Sequence, residues 1–314
     1  MLQRLPANRV AILLSTFNGE RFLQEQLDSL LAQDFEEWTL YWRDDGSTDG
    51  TIAILDEFAR TAGQGRCVRV QLTEDRLRPT ASFLALLAAV QDRLAEGDMV
   101  AFADQDDVWL PQKILRAVDA LRPVANETPA LYCARQMLVD DNLREMGISA
   151  PLNRPAGFPA ALTQNVTTGC TIVLNQRAAR LVGSSKPSSS TLHDWWCYLV
   201  VSAAGGQIIH DDTPTVLYRQ HTTNMVGAPH SMTRRAVAAL RRGPGVFMNV
   251  LREHIEALRA QPYLLSPEAR RQVEKLDGAL KAGPLRRLAV LPMPGLRRQT
   301  FAEMCGFWVW FLLG

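Results

Sequence analysis

The chain has 314 residues, 47% of them hydrophobic, which supports one large core or two ordinary ones and excludes a disordered chain. Five scattered cysteines (Cys67, Cys133, Cys170, Cys197, Cys305) form no CxxC pair, which excludes a zinc ribbon or disulfide framework and predicts reduced, mostly buried thiols. The formal net charge of +1 conceals a split: residues 1–227 carry 20 Lys+Arg against 27 Asp+Glu, a balance of −7, and residues 228–314 carry 14 against 6, a balance of +8. Such asymmetry gives the two parts different partners, with an anionic surface, membrane or nucleic acid, for the basic one.

Residues 1–9 are short and polar and the apolar run 10–14 is only a strand's length, so no secretory leader is read and the catalytic part is expected in the cytoplasm. After that first strand comes the turn-forming Ser15-Thr16-Phe17-Asn18-Gly19, and then Phe22, Leu23, Leu27, Leu30 and Leu31 recur at helical spacing. A second strand over 38–43 leads into Asp44-Asp45-Gly46-Ser47-Thr48-Asp49. Ile52, Leu55, Phe58 and Ala59 then share a helix face until Gly63. A third strand is predicted over 67–72, a third helix over 82–94 and a fourth strand over 99–103. Repeated strand and helix pairs with short loops predict an α/β fold, a mostly parallel sheet flanked by helices.

The fourth strand runs into Asp104-Gln105-Asp106-Asp107-Val108-Trp109, three carboxylates within four residues. In open α/β sheets the carboxyl ends of the strands face the ligand, and a divalent ion held by one or two carboxylates plus substrate phosphates suits oxygen ligands of this kind. The alternative is a solvated acidic turn. Pro111 reads as a first helical position, with Ile114, Leu115, Val118 and Leu121 behind it, so the acidic loop is expected directly between strand and helix. Beyond residue 130 the alternation loosens. Strands are predicted at 131–139, 171–174, 207–210 and 215–219, a Pro/Gly loop at 151–158, a serine-rich loop at 183–191, and an apolar helix from His193 to about 204.

Residues 44–56 admit two chemistries. Asp45, Ser47, Asp49, Gly50 and Asp56 fall at positions 1, 3, 5, 6 and 12 of a calcium-binding EF-hand loop, but such a loop follows a helix and 38–43 reads as a strand. Otherwise Asp44 and Asp45, at the carboxyl end of the second strand, accept hydrogen bonds from a nucleoside's base and ribose.

Taken together, Ser15-Thr16-Phe17-Asn18, the Asp44-to-Asp49 turn and Asp104-Gln105-Asp106 resemble the motifs of family 2 glycosyltransferases, which have the GT-A fold, over roughly residues 10–225. The later His193-Asp194-Trp195-Trp196 and Tyr218-Arg219-Gln220-His221 are similar to those of bacterial rhamnosyltransferases that build surface polysaccharides. The resemblance implies donor binding by Ser15, Thr16, Asn18, Asp44, Asp45, Arg78, Asp104 and Gln105, with a metal, Mg²⁺ or Mn²⁺, on Asp106 and His221. It also implies Asp194 as general base and acceptor binding by Thr168, Gly169, Trp195 and Trp196. The implied reaction is an inverting transfer of one sugar, L-rhamnose from dTDP-rhamnose, onto a lipid-linked glycan. The catalytic domain would cover residues 1–227, with a nucleotide-sugar half at about 1–125 and an acceptor half at about 126–227.

The residue types suit these roles, because inverting transfer needs one carboxylate to take the acceptor's proton and a cation to neutralise the departing diphosphate. The alternative for Asp194 is a helix N-cap, and for His221 an ordinary surface histidine. Family members commonly have glycine where Arg78 stands, which leaves the donor nucleotide open. The Gln-x-x-Arg-Trp motif of polymerising relatives is absent, which favours single transfer. Two other readings compete. A non-catalytic nucleotide-sugar or calcium-binding module needs no base, and a sugar-nucleotide pyrophosphorylase should carry a Gly-rich basic loop where Ser15 to Gly19 stand.

Residues 228–314 are expected to form a basic helical region. From Gly283 onward Arg286, Arg287, Arg297 and Arg298 against Glu303 leave +3, and seven consecutive apolar residues, two of them Trp, fill 307–313. A spanning helix needs about 20 apolar residues, so this tail is too short to cross a bilayer. Arginines at headgroup level over a Trp/Phe/Leu end describe an amphipathic interfacial anchor, each basic residue contributing about 1 kcal/mol near anionic lipid. The expected location is peripheral, on the inner face of the cytoplasmic membrane, with no nucleic-acid partner. Packing of the same residues on the catalytic part or across a homodimer is the alternative.

Overall fold

The computed structural model describes residues 9–72, 76–221 and 232–314, the side chains of the last stretch from 245 onward. The boundary expected at 227 lies outside the described residues. The first half alternates as expected: β1 (Val10–Thr16), α1 (Leu23–Leu31), β2 (Trp38–Asp44), α2 (Thr51–Arg60), β3 (Cys67–Arg69), α3 (Pro79–Val90) and β4 (Met99–Ala103). The four strands lie side by side and parallel in the order β3-β2-β1-β4. Because strand side chains alternate, Ala11 and Leu13 of β1 join one apolar cluster with Phe83, Leu86 and Leu87 of α3. Val10, Ile12 and Leu14 join the other, with Leu23 and Leu27 of α1 and Leu55 and Phe58 of α2. Pairing Thr16 with Asp44 and Leu14 with Ala103 brings the carboxyl ends of β1, β2 and β4 out together. One sheet edge therefore receives all three sequence motifs.

The second half comprises β5 (Val108–Trp109), α4 (Lys113–Leu121), β6 (Ala130–Val139), β7 (Glu145–Ile148), β8 (Val173–Asn175), α5 (Gln176–Gly183), α6 (His193–Ala203) and β9 (Gln207–Arg219). It extends the sheet as β4-β8-β6-β9-β5, with β7 on β6. Here pairing is mixed: β6 and β9 run parallel, and the other four pairs are antiparallel. The acidic loop does not lead straight into a helix. Strand β5 intervenes, paired with Val216 and Leu217 of β9, and α4 begins at Lys113, two residues past Pro111. The two strands expected at 207–210 and 215–219 are one strand, whose register against β6 shifts around Arg135 where Asp211 and Pro214 sit. Helix α5 was not expected from the periodicity. Its signal is Asn175, which caps Ala178 N–H and also ties Thr128 and Ala130 to the helix start.

The C-terminal region is helical as expected: α7 (Met232–Arg259), α8 (Pro267–Ala282), α9 (Pro284–Val290) and α10 (Phe301–Leu313). Met248, Leu251, Ile255 and Leu258 form the inward stripe of α7. With Val273 and Leu276 of α8 and Phe307 and Phe311 of α10, they belong to the same apolar cluster as Trp196 and Tyr198 of α6. This corrects the expectation that residues 307–313 all lie against lipid, because Phe307 and Phe311 are fully buried in protein. Among the described residues, no helix is long and apolar enough to cross a membrane.

Candidate active site

The β1 and β2 loops interlock through hydrogen bonds. Asp44 accepts from Thr16 Oγ1 at 3.0 Å, from Ser47 Oγ at 2.5 Å, and from the Gly46 and Ser47 N–H groups. Asn18, in left-handed backbone (φ 47°), donates its N–H to Ser47 Oγ and accepts Thr48 N–H on its side chain. Gln105 closes the set from β4, accepting Phe17 N–H at 2.8 Å and donating to Phe17 O at 3.0 Å. Ser15 Oγ lies 2.5 Å from Ser82 Oγ at the start of α3. The expected donor residues of these loops therefore converge.

Asp45 differs from its neighbour. It is buried, 2.6 Å from Arg43 Nη1, and accepts Leu77 N–H at 2.7 Å and Arg78 N–H at 2.8 Å. With both oxygens engaged by its own chain, it shapes the 77–78 loop. A strand precedes this loop and an arginine holds its first carboxylate, so the EF-hand reading is set aside.

Arg78, exposed at the N-cap of α3, has φ 66° and ψ 161°, a region populated almost solely by glycine, at a cost on the order of 1–3 kcal/mol for other residues. Glycine, which the family resemblance sets at this position, would relieve that strain, and we propose that Arg78 is kept for a contact with the donor. Arg78→Gly is expected to raise stability by about 1 kcal/mol and to raise the KM for donor. Thermal melting and initial rates check both halves, and a variant that is less stable with an unchanged KM refutes the assignment.

At the end of β4, Asp106 Oδ2 sits 2.8 Å from His221 Nε2, so the two expected metal residues meet although 115 positions apart. Asp104, Asp107 and Cys170 bring ligand atoms within 4.8 Å of one another. Desolvation, then the Asp106 and Asp194 carboxylates, push Asp104 up to about 7, and Asp107 is driven well above its usual range by burial, Asp106 and Asp104. The carboxylate and imidazole donors fit a hard or borderline divalent cation, and the accumulated negative charge favours one.

Two buried basic side chains pack behind this acidic loop, and sequence reasoning missed both. Lys113 opens α4 yet is fully buried, its Nζ 3.4 Å above the Trp109 ring, and burial pulls its amine down to about 7 against the opposing pull of Cys170 and Asp107. Arg219, at the end of β9, donates to Asp106 O at 2.8 Å, to Asp141 O at 2.5 Å and to the Glu25 carboxylate, while its own N–H reaches Asp107 Oδ1 at 3.1 Å. The rigid guanidinium fork reaches three segments at once, which a lysine would not do.

Asp194 stands in the first turn of α6, and Leu192, not Asp194, occupies the N-cap position. Its carboxylate accepts the Trp195 N–H at 2.6 Å and is further held by the Asn165 side chain and Gly169 N–H. Burial outweighs these bonds and lifts it to about 6. A carboxylate of that strength is mostly ionised at neutral pH and basic enough to accept a proton. Gly169 lies beside it, with the His193 ring filling the space that a side chain at Gly169 would need, and Thr168 precedes it in the chain. Trp195 turns its indole N–H inward to Ala161 O and stacks edge-on against His254 of α7. Trp196 is corrected: it is fully buried, bonded to Ser185 Oγ, and out of reach of an acceptor.

Comparison with known proteins identifies the family and the fold. The profile of "Glycosyl transferase family 2" covers residues 11–175, just over half of the chain. The chain is 28% identical over 228 residues to the dTDP-rhamnosyl transferase RfbG of Shigella flexneri, covering 68% of this chain and 74% of that protein. It is 28% identical over 105 residues to WfgD of Escherichia coli, a UDP-Glc:alpha-D-GlcNAc-diphosphoundecaprenol beta-1,3-glucosyltransferase, covering 33% of this chain and 38% of that one. Among solved structures, S. aureus TarS 1-349 in complex with UDP-GlcNAc superposes with a TM-score of 0.57 at 18% identity, covering 97% of this chain and 81% of that one. With the family profile matched from β1 to β8 and the GT-A architecture shared along nearly the whole length, the chain belongs to glycosyltransferase family 2.

Proposed function

We propose that the protein is an inverting transferase that moves a single sugar, L-rhamnose from dTDP-rhamnose, onto a lipid-linked glycan at the inner face of the cytoplasmic membrane, in cell-surface polysaccharide synthesis. The observation that carries this reading is the half-buried Asp194 carboxylate, near pKa 6, beside the Asp104, Asp106 and His221 cluster. Asp194 takes the proton of the acceptor hydroxyl as that oxygen bonds to the sugar's anomeric carbon, and the bond to the diphosphate breaks on the opposite face. Asp106 and His221 would hold Mg²⁺ or Mn²⁺, which supplies charge neutralisation of the leaving diphosphate. The β1 and β2 loops with Arg78 hold the nucleotide, and Thr168 and Gly169 border the acceptor. The rhamnosyl donor is supported by the relationship to RfbG, and the lipid-linked acceptor by the diphosphoundecaprenol in the name of WfgD.

Purified protein incubated with a panel of nucleotide sugars, a divalent cation and a synthetic lipid-diphosphate glycan should release nucleoside diphosphate fastest from dTDP-rhamnose. Preference for another donor would overturn the rhamnosyl assignment. Absence of acceptor-dependent release from every donor would favour the non-catalytic binding module.

A further inference from the structure

We propose that α9 and α10 form a docking surface that seats in the headgroup region of an anionic bilayer through Leu285, Leu288, Phe301, Trp308, Val309 and Leu313. This deepens the membrane placement in the reading above, and it stands on packing and charge rather than on the sugar chemistry. Helix α10 is apolar almost all round, Glu303 in its capping box being its single charged residue. A helix of that composition is normally covered on every side by protein or lipid. Among the described residues protein covers one side: Met304, Phe307 and Phe311 face inward, with Phe247 of α7 against the Phe307 and Trp310 rings.

The outer side carries Phe301 and Trp308 seven residues apart and Val309 and Leu313 four apart, with Phe301 70% and Leu313 77% exposed. Neighbouring α9, tied to the end of α10 by a bond from Arg287 to Leu312 O, adds Leu285 at 86% exposure and Leu288 one turn on. Single exposed apolar side chains are ordinary, but six large ones on two adjoining helices are not.

Charge chooses the occupant. The exposed Arg286 borders these helices, with Lys281 nearby paired to Asp277, in a region whose balance is +8. A two-fold contact between copies would set the same basic rim against itself, whereas an anionic bilayer complements it. Trp and Phe beside basic residues are the side chains that settle at a headgroup boundary.

The test uses the full chain, because removing α10 would strip Phe307 and Phe311 from the core. Wild type, Leu288→Glu/Val309→Glu and Arg286→Glu are floated with phosphatidylglycerol/phosphatidylethanolamine vesicles and with neutral phosphatidylcholine vesicles, at low and high salt and without donor. Melting temperature and donor turnover in detergent are recorded in parallel. Wild type should float with the anionic vesicles at low salt. The double variant should bind at least tenfold less at an unchanged melting temperature, and Arg286→Glu should weaken the salt dependence. Equal binding by the double variant, or no vesicle binding together with a wild-type dimer in sedimentation velocity that Leu288→Glu/Val309→Glu dissociates, overturns the proposal. Failure of turnover with vesicle binding intact would strike the proposed sugar chemistry and leave this surface standing.

Discussion

Asp194→Asn is expected to fold normally, to bind donor with unchanged affinity and to turn over roughly 10²-fold slower or worse, the usual contribution of a positioned base. Asn keeps an acceptor oxygen for the Trp195 and Gly169 N–H groups that hold the carboxylate, so the local structure has no reason to change. What it lacks is an acid–base equilibrium. Since the carboxyl titrates near 6, turnover by the wild type should be full above about pH 7 and fall tenfold per pH unit below 6, as the base is progressively protonated. That acid limb should vanish from the residual rate of the variant. A near-normal rate in Asp194→Asn would return the residue to a structural role.

Asp106→Ala is expected to abolish detectable turnover, and so is exhaustive dialysis of the wild type against EDTA. The donor diphosphate adds at least two negative charges to a chain segment already at −7, at a point where burial, then the Asp106 and Asp194 carboxylates, already push Asp104 up to about 7. A bound cation offsets that accumulation, and one that binds only the folded state raises the melting temperature with the logarithm of one plus its concentration over Kd. Mn²⁺ should therefore stabilise the wild type by several degrees and leave Asp106→Ala unmoved. Full activity in metal-free protein, or equal stabilisation of both proteins, would sink the assignment of Asp106 and His221.

The first half of the fold was legible because each of its signals is local. Continuous apolar strands and helical stripes such as Leu23, Leu27 and Leu30 announce themselves within ten residues, and the turns between them carry the donor motifs. What stayed hidden depends on distant partners. Strand β5 is two residues long and exists because β9 pairs with it. Lys113 reads as a solvated first-turn residue until Trp109 and Asp107 surround it, and Arg219 reads as one letter of a motif until Glu25 and Asp141 arrive from other segments. Trp195 and Trp196 are indistinguishable as adjacent letters, yet helical geometry leaves one partly buried against Ala161 and His254 and buries the other fully. Apolar content alone likewise did not say which residues of α10 face protein, since Phe307 and Trp308 differ in direction rather than in chemistry.

Strand β9 carries a constraint on how this chain can change length. Between its pairings with Ala134 and Gln136 of β6 it passes from Asp211 to Val216, three residues more than its partner, and the surplus is taken up around exposed Asp212 and Thr213. Beyond that point it pairs residue for residue as far as Arg219, the hub under the acidic loop, with His221 two residues on. A strand's side chains alternate sides, so losing or gaining one residue at 216–218 would swing Arg219 away from Asp106, Asp141 and Glu25. The slack at 212–213 lies upstream of the pairing that sets the guanidinium's direction, so a change of length there is absorbed locally. Natural insertions and deletions among relatives should therefore gather at 212–213 and spare the five positions leading to His221.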